Sequence, residues 1–147
     1  MAQSMSTKLC NDLLTVGSLK AIFNAAADTE LRIYSGTVPT GANEAAGTKI
    51  ATVLGPSAAY LSFASTASAG VLAKESGTWQ DPSAVGGVAS YYRLVQHADT
   101  DALDTTTYQR IQGTIGVGGA DMNVGTTTIV ASAAFTVNTF TQSIFPS

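Results

Sequence analysis

The sequence predicts an all-β fold, namely an antiparallel β-sandwich of about eight strands, Ig-like or jelly-roll-like, with a short N-terminal helix. From Glu30 onward, apolar and polar residues alternate, which is the period of strands with one buried face. Glycines fall between these segments, where the backbone must turn. Strands do not alternate with helical segments, as a parallel sheet would require. We expect one domain over residues 1–147, with a helical segment at 7–25 and the sandwich at 30–145.

The helical segment is predicted by the spacing of its apolar residues. These residues are Leu9, Leu13, Leu14, Val16, Leu19, Ile22 and Phe23. Ser6 or Thr7 is a candidate cap for its start. Gly17, followed by Ser18, costs a helix about 1 kcal/mol relative to alanine, so we expect a break or kink there. The segment could dock on a partner, but we favour packing on its own domain.

Strand segments follow in chain order, separated by turn-forming residues. They are Leu31–Tyr34, Lys49–Leu54, Ala59–Ala64, Val71–Glu75, Thr78–Gln80, Val88–His97, Tyr108–Val117, Met122–Val124, Thr126–Ala131 and Phe135–Phe145. We expect the fourth and fifth to pair across the turn Ser76-Gly77. In the seventh, Ile111, Ile115 and Val117 are expected on one face. Asp99–Asp104 is predicted to be a solvated acidic turn.

The low charge of the chain favours a protein that contacts many copies of itself or a large partner. Charged residues make up 12% of the sequence, against about 25% in a typical globular protein. Low charge density weakens the repulsion that keeps proteins monomeric. The net charge is −3 and the seven lysines and arginines are scattered singly. This pattern argues against nucleic-acid binding, which needs a basic patch.

The remaining composition argues against a disulfide, a membrane span and a secretory signal. Cys10 is the only cysteine, and it lies in an apolar stretch, so we expect a small core residue. No apolar run approaches the ~18 residues that cross a bilayer. The first residues lack the charged and then apolar pattern of a signal peptide. We therefore expect synthesis in the cytoplasm.

Candidate catalytic and metal-binding residues are few, and we expect no catalytic, cofactor or metal site. His97 is the only histidine, and Asp99 could orient its ring as in a hydrolase triad, but no Gly-x-Ser-x-Gly elbow is present. Asp99, Asp101 and Asp104 resemble a calcium loop only in spacing. The required glycine and glutamate positions are occupied by Asp104 and Arg110.

Two further patterns have a structural and a functional interpretation. The glycines of Gly113–Gly119 suggest a phosphate cradle, but no helix follows them, so we favour a hairpin turn. Trp79 and the five tyrosines could form a sugar-stacking platform, although packing in the core is the better explanation. Arg32 and Tyr34 are expected on the face opposite Leu31 and Ile33. Because Tyr91 and Tyr92 are adjacent in a strand, we expect one of them to face outward.

Several motifs, taken in order, resemble a family of small proteins from tailed bacteriophages. They are Leu31-Arg-Ile-Tyr-Ser-Gly-Thr-Val-Pro39, Gly47-Thr-Lys-Ile-Ala-Thr52, Tyr92-Arg-Leu94, Gly113-Thr-Ile-Gly-Val-Gly-Gly-Ala-Asp-Met-Asn123, Thr127-Thr-Ile-Val-Ala131 and Phe140-Thr141. The resemblance covers most of residues 9–141 and implies a virion-associated protein. The chain differs in the polar segment Tyr108–Gln112 and in the acidic insert Asp99–Thr107.

The resemblance implies a structural, non-enzymatic component of the phage particle. The leading expectation is a capsid decoration, or cement, protein that stabilises the head by binding the major capsid protein in many symmetric copies. The alternatives are a tail or head–tail connector protein and a virion sugar-binding module, with a hydrolase last. No cofactor, nucleic acid or membrane is expected among the partners.

Overall fold

The computed structural model describes residues 3–64, 66–68 and 71–143, and its fold is all-β and sandwich-like with a short helical part near the N-terminus. The predicted fold class is therefore confirmed. The helical elements are α1 (Thr7–Thr15), α2 (Leu19–Ala26) and one 3-10 turn (Pro56–Ala58). The strands are β1 (Ser4–Met5), β2 (Thr29–Ser35), β3 (Thr48–Val53), β4 (Val71–Ala73), β5 (Trp79–Asp81), β6 (Gly87–Val88), β7 (Tyr91–Gln96), β8 (Ile111–Gly116), β9 (Met122–Asn123), β10 (Thr128–Ile129), β11 (Phe135–Val137) and β12 (Thr141–Ser143).

Each α-helix begins after a serine that caps it. The hydroxyls of Ser6 and Ser18 each accept a hydrogen bond of 3.2 Å from the amide three residues further on. The predicted cap at Ser6 and the predicted break at Gly17 are thus confirmed, and the segment is two helices. Leu9 and Phe23 are buried in the core that the strands share. The helices therefore pack on the sandwich itself.

The largest sheet has the strand order β1-β8-β7-β2-β3, and all of these neighbours are antiparallel. β9 pairs with β8 in parallel, so the predicted hairpin turn at Gly113–Gly119 is wrong. The carboxylate of Asp121 accepts hydrogen bonds from the amide and hydroxyl of Thr114, at 2.8 and 2.9 Å. This contact closes a loop between β8 and β9, so β9 runs in the same direction as β8.

The strands β4, β5 and β6 pair with β12, β11 and β10, respectively, in three two-stranded antiparallel ribbons. The predicted hairpin between Val71–Glu75 and Thr78–Gln80 is therefore wrong. The reason lies in the aromatic core, where the ring of Trp79 is 5.8 Å from Phe63 and 5.7 Å from Phe140. These contacts between distant segments place the C-terminal strands β11 and β12 beside β5 and β4, so β4 and β5 do not pair with each other.

Two predicted long strands are divided because the chain passes from one sheet to another. Within Val88–His97, the amide of Ala89 bonds to Thr127 and the amide of Ser90 bonds to Tyr34. The first bond belongs to the β6–β10 ribbon and the second to the main sheet. The predicted strand Phe135–Phe145 is likewise divided into β11 and β12, and its last two residues, 144 and 145, lie outside the described residues.

The predicted strand Ala59–Ala64 is wrong. Its alternating apolar residues Leu61 and Phe63 are both buried, but only Phe63 forms a bridge, with Lys74. The segment is an irregular connection that two apolar side chains fix to the core. Among the other strands the ends shift; Tyr108–Val117, for example, begins at Ile111.

The main sheet is buried on both faces. One face packs on the aliphatic and aromatic core, where Tyr92 contacts Phe140 at 5.5 Å between ring centroids. On the other face Tyr34 and Tyr91 stack at 4.9 Å, and neither is exposed. The predicted outward tyrosine is therefore wrong, because residues 39–47 and 97–110 cover the face expected to meet solvent. Val117 is exposed, since β8 ends at Gly116 before reaching it.

The first described residue, Gln3, meets the last described strand, β12, beside the core. The side chain of Gln142 donates a hydrogen bond to Gln3 at 2.7 Å, and Gln3 also bonds to the hydroxyl of Tyr92 at 2.5 Å. Residues 139 positions apart in the sequence are therefore in direct contact.

Candidate functional site

The covered face of the main sheet holds a buried cluster of charged side chains. Arg32 of β2 lies opposite Arg93 of β7, and Arg93 lies opposite Gln112 of β8, so the three occupy one cross-strand row. Arg110, just before β8, joins them. All four side chains are buried. The cluster follows from the strand period, which places every second residue of these strands on this face.

Asp99 and Arg110 form the central ion pair of this cluster. The carboxylate accepts hydrogen bonds from Nε at 2.5 Å and from Nη2 at 2.6 Å, and both side chains are fully buried. This is the bidentate geometry that makes arginine–carboxylate pairs strong. The prediction of a solvated acidic turn is therefore wrong for Asp99, which fixes the 97–110 segment onto the sheet.

The remaining acidic residues of that turn also have structural partners. Asp101 accepts hydrogen bonds from the Tyr34 hydroxyl at 2.6 Å and from Arg32 at 2.9 Å. Asp104 accepts backbone amides of residues 106, 107 and 108. Slight burial opposes ionisation of Asp104, but these amides lower its pKa. The three carboxylates point to different partners, and no metal-binding cluster occurs among the described residues.

Arg93 is the unusual member of the cluster. Its Nε donates to Gln112 at 2.9 Å, but Nη1 and Nη2 are buried and have no hydrogen-bond partner in the described part of the chain. Burial lowers the pKa of Arg93, and the neighbouring Arg110 lowers it further. The arginine contributes a buried charge without a carboxylate of its own.

His97 lies at the rim of the cluster, and its side chain is 64% exposed. Its Nδ1 lies 3.0 Å from Oε2 of Glu30, while Oε1 of Glu30 accepts from Arg32. Asp99, which the sequence suggested as the partner of the ring, is bound to Arg110 instead. The carboxylate that lies beside the ring is therefore that of Glu30 and not that of Asp99.

A shallow hollow of about 520 Å³ lies beside Tyr60, between the end of α2 and residues 58–62. Tyr60 is partly exposed, and its ring is tilted by 54° against His97. Ser62 in this hollow donates its hydroxyl to Glu75 and is therefore engaged. Trp79 is buried, as are Tyr34, Tyr91 and Tyr92, so packing accounts for these four of the six aromatic residues that suggested a platform.

Cys10 is exposed, so its predicted place in the core is wrong. Successive residues of a helix are separated by about 100° around its axis. Because the neighbouring Leu9 points into the core, Cys10 points away from it.

An apolar surface lies on the β6–β10 ribbon. Ile129 is buried and faces the core, and its cross-strand partner Gly87 lies on the same side, where a Cβ would come within 3.2 Å of Ile50. Val88 and Val130 lie on the opposite side, with 59% and 64% exposure, and Val85 nearby is 71% exposed. No charged residue occurs in 84–90 or 126–134. We call this surface the ribbon face.

Comparisons with protein-family models, with curated proteins and with solved structures found no significant match to this chain. No helix in the described ranges is long and apolar enough to span a membrane.

Sequence reasoning missed both the buried charged cluster and the ribbon face. A signal for the cluster is present, because Arg32 and Arg93 each occupy the centre of a strongly apolar strand, where a solvated arginine is unexpected. The ribbon face has no comparable signal, since Val88 and Ile129 look alike in a strand pattern.

Proposed function

We propose that this chain is a structural component of a tailed-bacteriophage particle, and specifically a decoration protein that binds the outside of the capsid. The observation that carries the proposal is the ribbon face, an exposed aliphatic surface without charges. Exposed apolar surface of this kind is typical of protein–protein contacts. The low charge of the chain and the motif resemblance agree with it.

The distribution of chemically active groups supports a structural role. Arg32 and Arg110 of the cluster bind carboxylates and backbone carbonyls of the 97–110 segment. His97 is exposed but pairs with Glu30, which is itself bound to Arg32. These groups stabilise the fold and leave little for catalysis at the surface.

The experiment is to remove the protein from purified heads and add it back at several salt concentrations. Because the ribbon face carries no charge, we expect binding to weaken less than about tenfold between about 0.05 and 0.5 M salt. Val130→Asp should abolish rebinding, because it places a charge in an apolar contact. Val117→Asp, a matched change at an exposed valine after β8, should rebind normally.

Binding to isolated tails, with no rebinding to heads, would replace this proposal with a tail or connector protein. Cryo-EM of intact particles gives an independent answer, because it places the density on the head lattice or on the tail. His97→Ala should not alter binding or any hydrolytic activity. A hydrolytic activity lost in that variant would contradict a structural role.

One observation favours a sugar-binding module as a second candidate, namely the partly exposed Tyr60 beside its hollow. Aromatic rings at exposed sites can stack on sugar rings. Tyr60 and His97 are tilted and not coplanar, so they offer one stacking face. Loss of glycan-array binding in Tyr60→Ala would support this alternative.

A further inference from the structure

β10 and β11 are consecutive strands joined by a short turn, yet they do not pair with each other. β10 pairs with β6, and β11 pairs with β5. The two arms of this split hairpin diverge from the turn, where the amide of Ala133 bonds to Val130. Between them lies a groove of about 430 Å³ lined by both strands.

The edge of β10 that faces away from β6 carries Thr128. The amide of Ala89 in the β6 chain donates to the carbonyl of Thr127 at 2.8 Å, so Thr127 faces β6. Backbone groups alternate in direction along a strand, so those of Thr128 face the other way. The Thr128 amide donates to Oγ1 of Thr126, two residues earlier in the chain, at 3.2 Å. No strand within the described residues pairs with this edge.

The edge of β11 that faces away from β5 carries Thr136. Gln80 of β5 exchanges backbone hydrogen bonds of 3.0 and 2.8 Å with Leu54, the residue after β3. Gln80 therefore points away from β11, and the pair it forms with Thr136 is not hydrogen-bonded. The amide and carbonyl of Thr136 point away from β5. Thr128 and Thr136 both line the groove.

The size and chemistry of the groove fit one short strand. A residue in a stacked sheet occupies roughly 160 Å³, from the spacing of strands and sheets, so the groove accommodates about three small residues. Its lining consists of Thr, Asn, Val, Ala, Gly, Ile and Phe, and none of these side chains is charged. An occupant with a charged side chain in the groove would lose hydration without gaining a partner.

We propose that this groove binds an extended, uncharged segment of the capsid lattice protein as an added β-strand; this rests on the proposed capsid-binding function. The added strand would pair with the edges of β10 and β11 and join two separate ribbons into one sheet. Strand addition of this kind gains affinity from main-chain hydrogen bonds. The ribbon face, on the same β10, would contribute apolar contact beside it.

The first test is hydrogen exchange of the wild-type protein, free and bound to stripped heads. The amides of residues 126–137 should exchange at least about tenfold more slowly on the heads, because an added strand protects an edge. If these amides exchange at the same rate in the head-bound protein, the groove is not the binding site, although the protein still binds capsids. Protection that appears in the free protein as its concentration rises identifies a second copy as occupant and overturns the stated partner.

The second test uses a matched pair of variants. Thr136→Lys should weaken rebinding to heads by at least about tenfold, since a lysine on a strand edge opposes addition of another strand. Thr48→Lys, a threonine exposed in β3, should rebind as wild type. Equal thermal unfolding of the two variants shows that both are folded. Equal rebinding of both overturns the inference alone, whereas failure of wild-type protein to bind heads overturns the proposed function and the inference together.

Discussion

Arg93 and Arg110 are equally buried but differ in their partners, so their loss should have different effects. Arg110→Met leaves Asp99 as a buried charge without a partner, and we expect a loss of about 3–5 kcal/mol. Arg93→Met removes a guanidinium whose Nη atoms have no described partner, although it also leaves buried Gln112 without its donor, and we expect a smaller loss of about 1–2 kcal/mol. Urea unfolding of both variants measures the difference. A loss at Arg93 as large as at Arg110 would show that a group outside the described contacts holds it.

Gly113 and Gly118 differ in the space around them. A Cβ at Gly113 would lie 2.6 Å from the hydroxyl of Tyr92, a fully buried ring that has no room to move. Gly113→Ala should therefore cost about 1–3 kcal/mol, as overpacking does. Gly118 has nothing within 4 Å of its Cβ position, so Gly118→Ala is the control and should change stability by less than about 0.5 kcal/mol. Thermal unfolding of both variants measures the two changes in stability.

The residues of the buried cluster show why a site on a covered sheet face is hard to predict. The alternation in β2 correctly separates Leu31 and Ile33 from Arg32 and Tyr34. It does not reveal that residues 97–110 cover the polar face, because that covering depends on the Asp99–Arg110 pair. Two residues eleven positions apart, in an acidic insert and at the start of a strand, give no periodic signal.

At the level of elements, the two serines that cap the helices differ in the other hydrogen bonds that they make. Ser18 only caps α2, at the surface. Ser6 caps α1, accepts a second hydrogen bond from the Arg110 amide at 3.0 Å and donates to the carbonyl of Tyr108. Ser18→Ala should cost about 1 kcal/mol. Ser6→Ala should cost about 2–4 kcal/mol, since buried groups also lose their partners.

Chemical denaturation of these two serine variants, followed by circular dichroism, tests the difference. A loss for Ser6→Ala no greater than for Ser18→Ala would show that the link between α1 and β8 adds no stability.

The elements were predictable from the sequence where local residues decide them, and not where distant residues do. Ser6 and the Gly17 break fix the helical part within a few residues, and both were predicted. Strand pairing is different, because Trp79 meets Phe140 across sixty residues and overrides the turn at Ser76-Gly77. The change of sheet at Ala89 and Ser90 is likewise set by two remote carbonyls, those of Thr127 and Tyr34.

For the molecule as a whole, the buried tyrosines predict a loss of stability at alkaline pH. Burial raises the pKa of Tyr34, Tyr91 and Tyr92, and for Tyr34 the hydrogen bond to Asp101 adds to the effect. Unfolded tyrosines ionise near pH 10, so below that pH these groups leave stability unchanged. As the pH rises further, the unfolded chain binds fewer protons than the folded one. Stability should then fall by about 1.4 kcal/mol per pH unit for each tyrosine.

Urea unfolding between pH 8 and pH 12 measures this slope, and ultraviolet absorbance of phenolate follows ionisation. Tyr34→Phe should reduce the slope by about one third, since it removes one of three titrating groups. Ionisation of all five tyrosines in the folded state at pH 10 would contradict the prediction.

The contact between Gln3 and Gln142 has a consequence for the time course of folding. β1 cannot pair before β8 is present, and β4 cannot pair before β12 is present. The aromatic core is incomplete until Phe140 contacts Trp79. Pairings so distant along the chain carry a high loop-closure cost and slow the folding of β proteins. A nascent chain still held at Phe140 by the ribosome cannot close this core. Folding should therefore begin only after Phe140 has left the ribosome, and it should occur in one cooperative step.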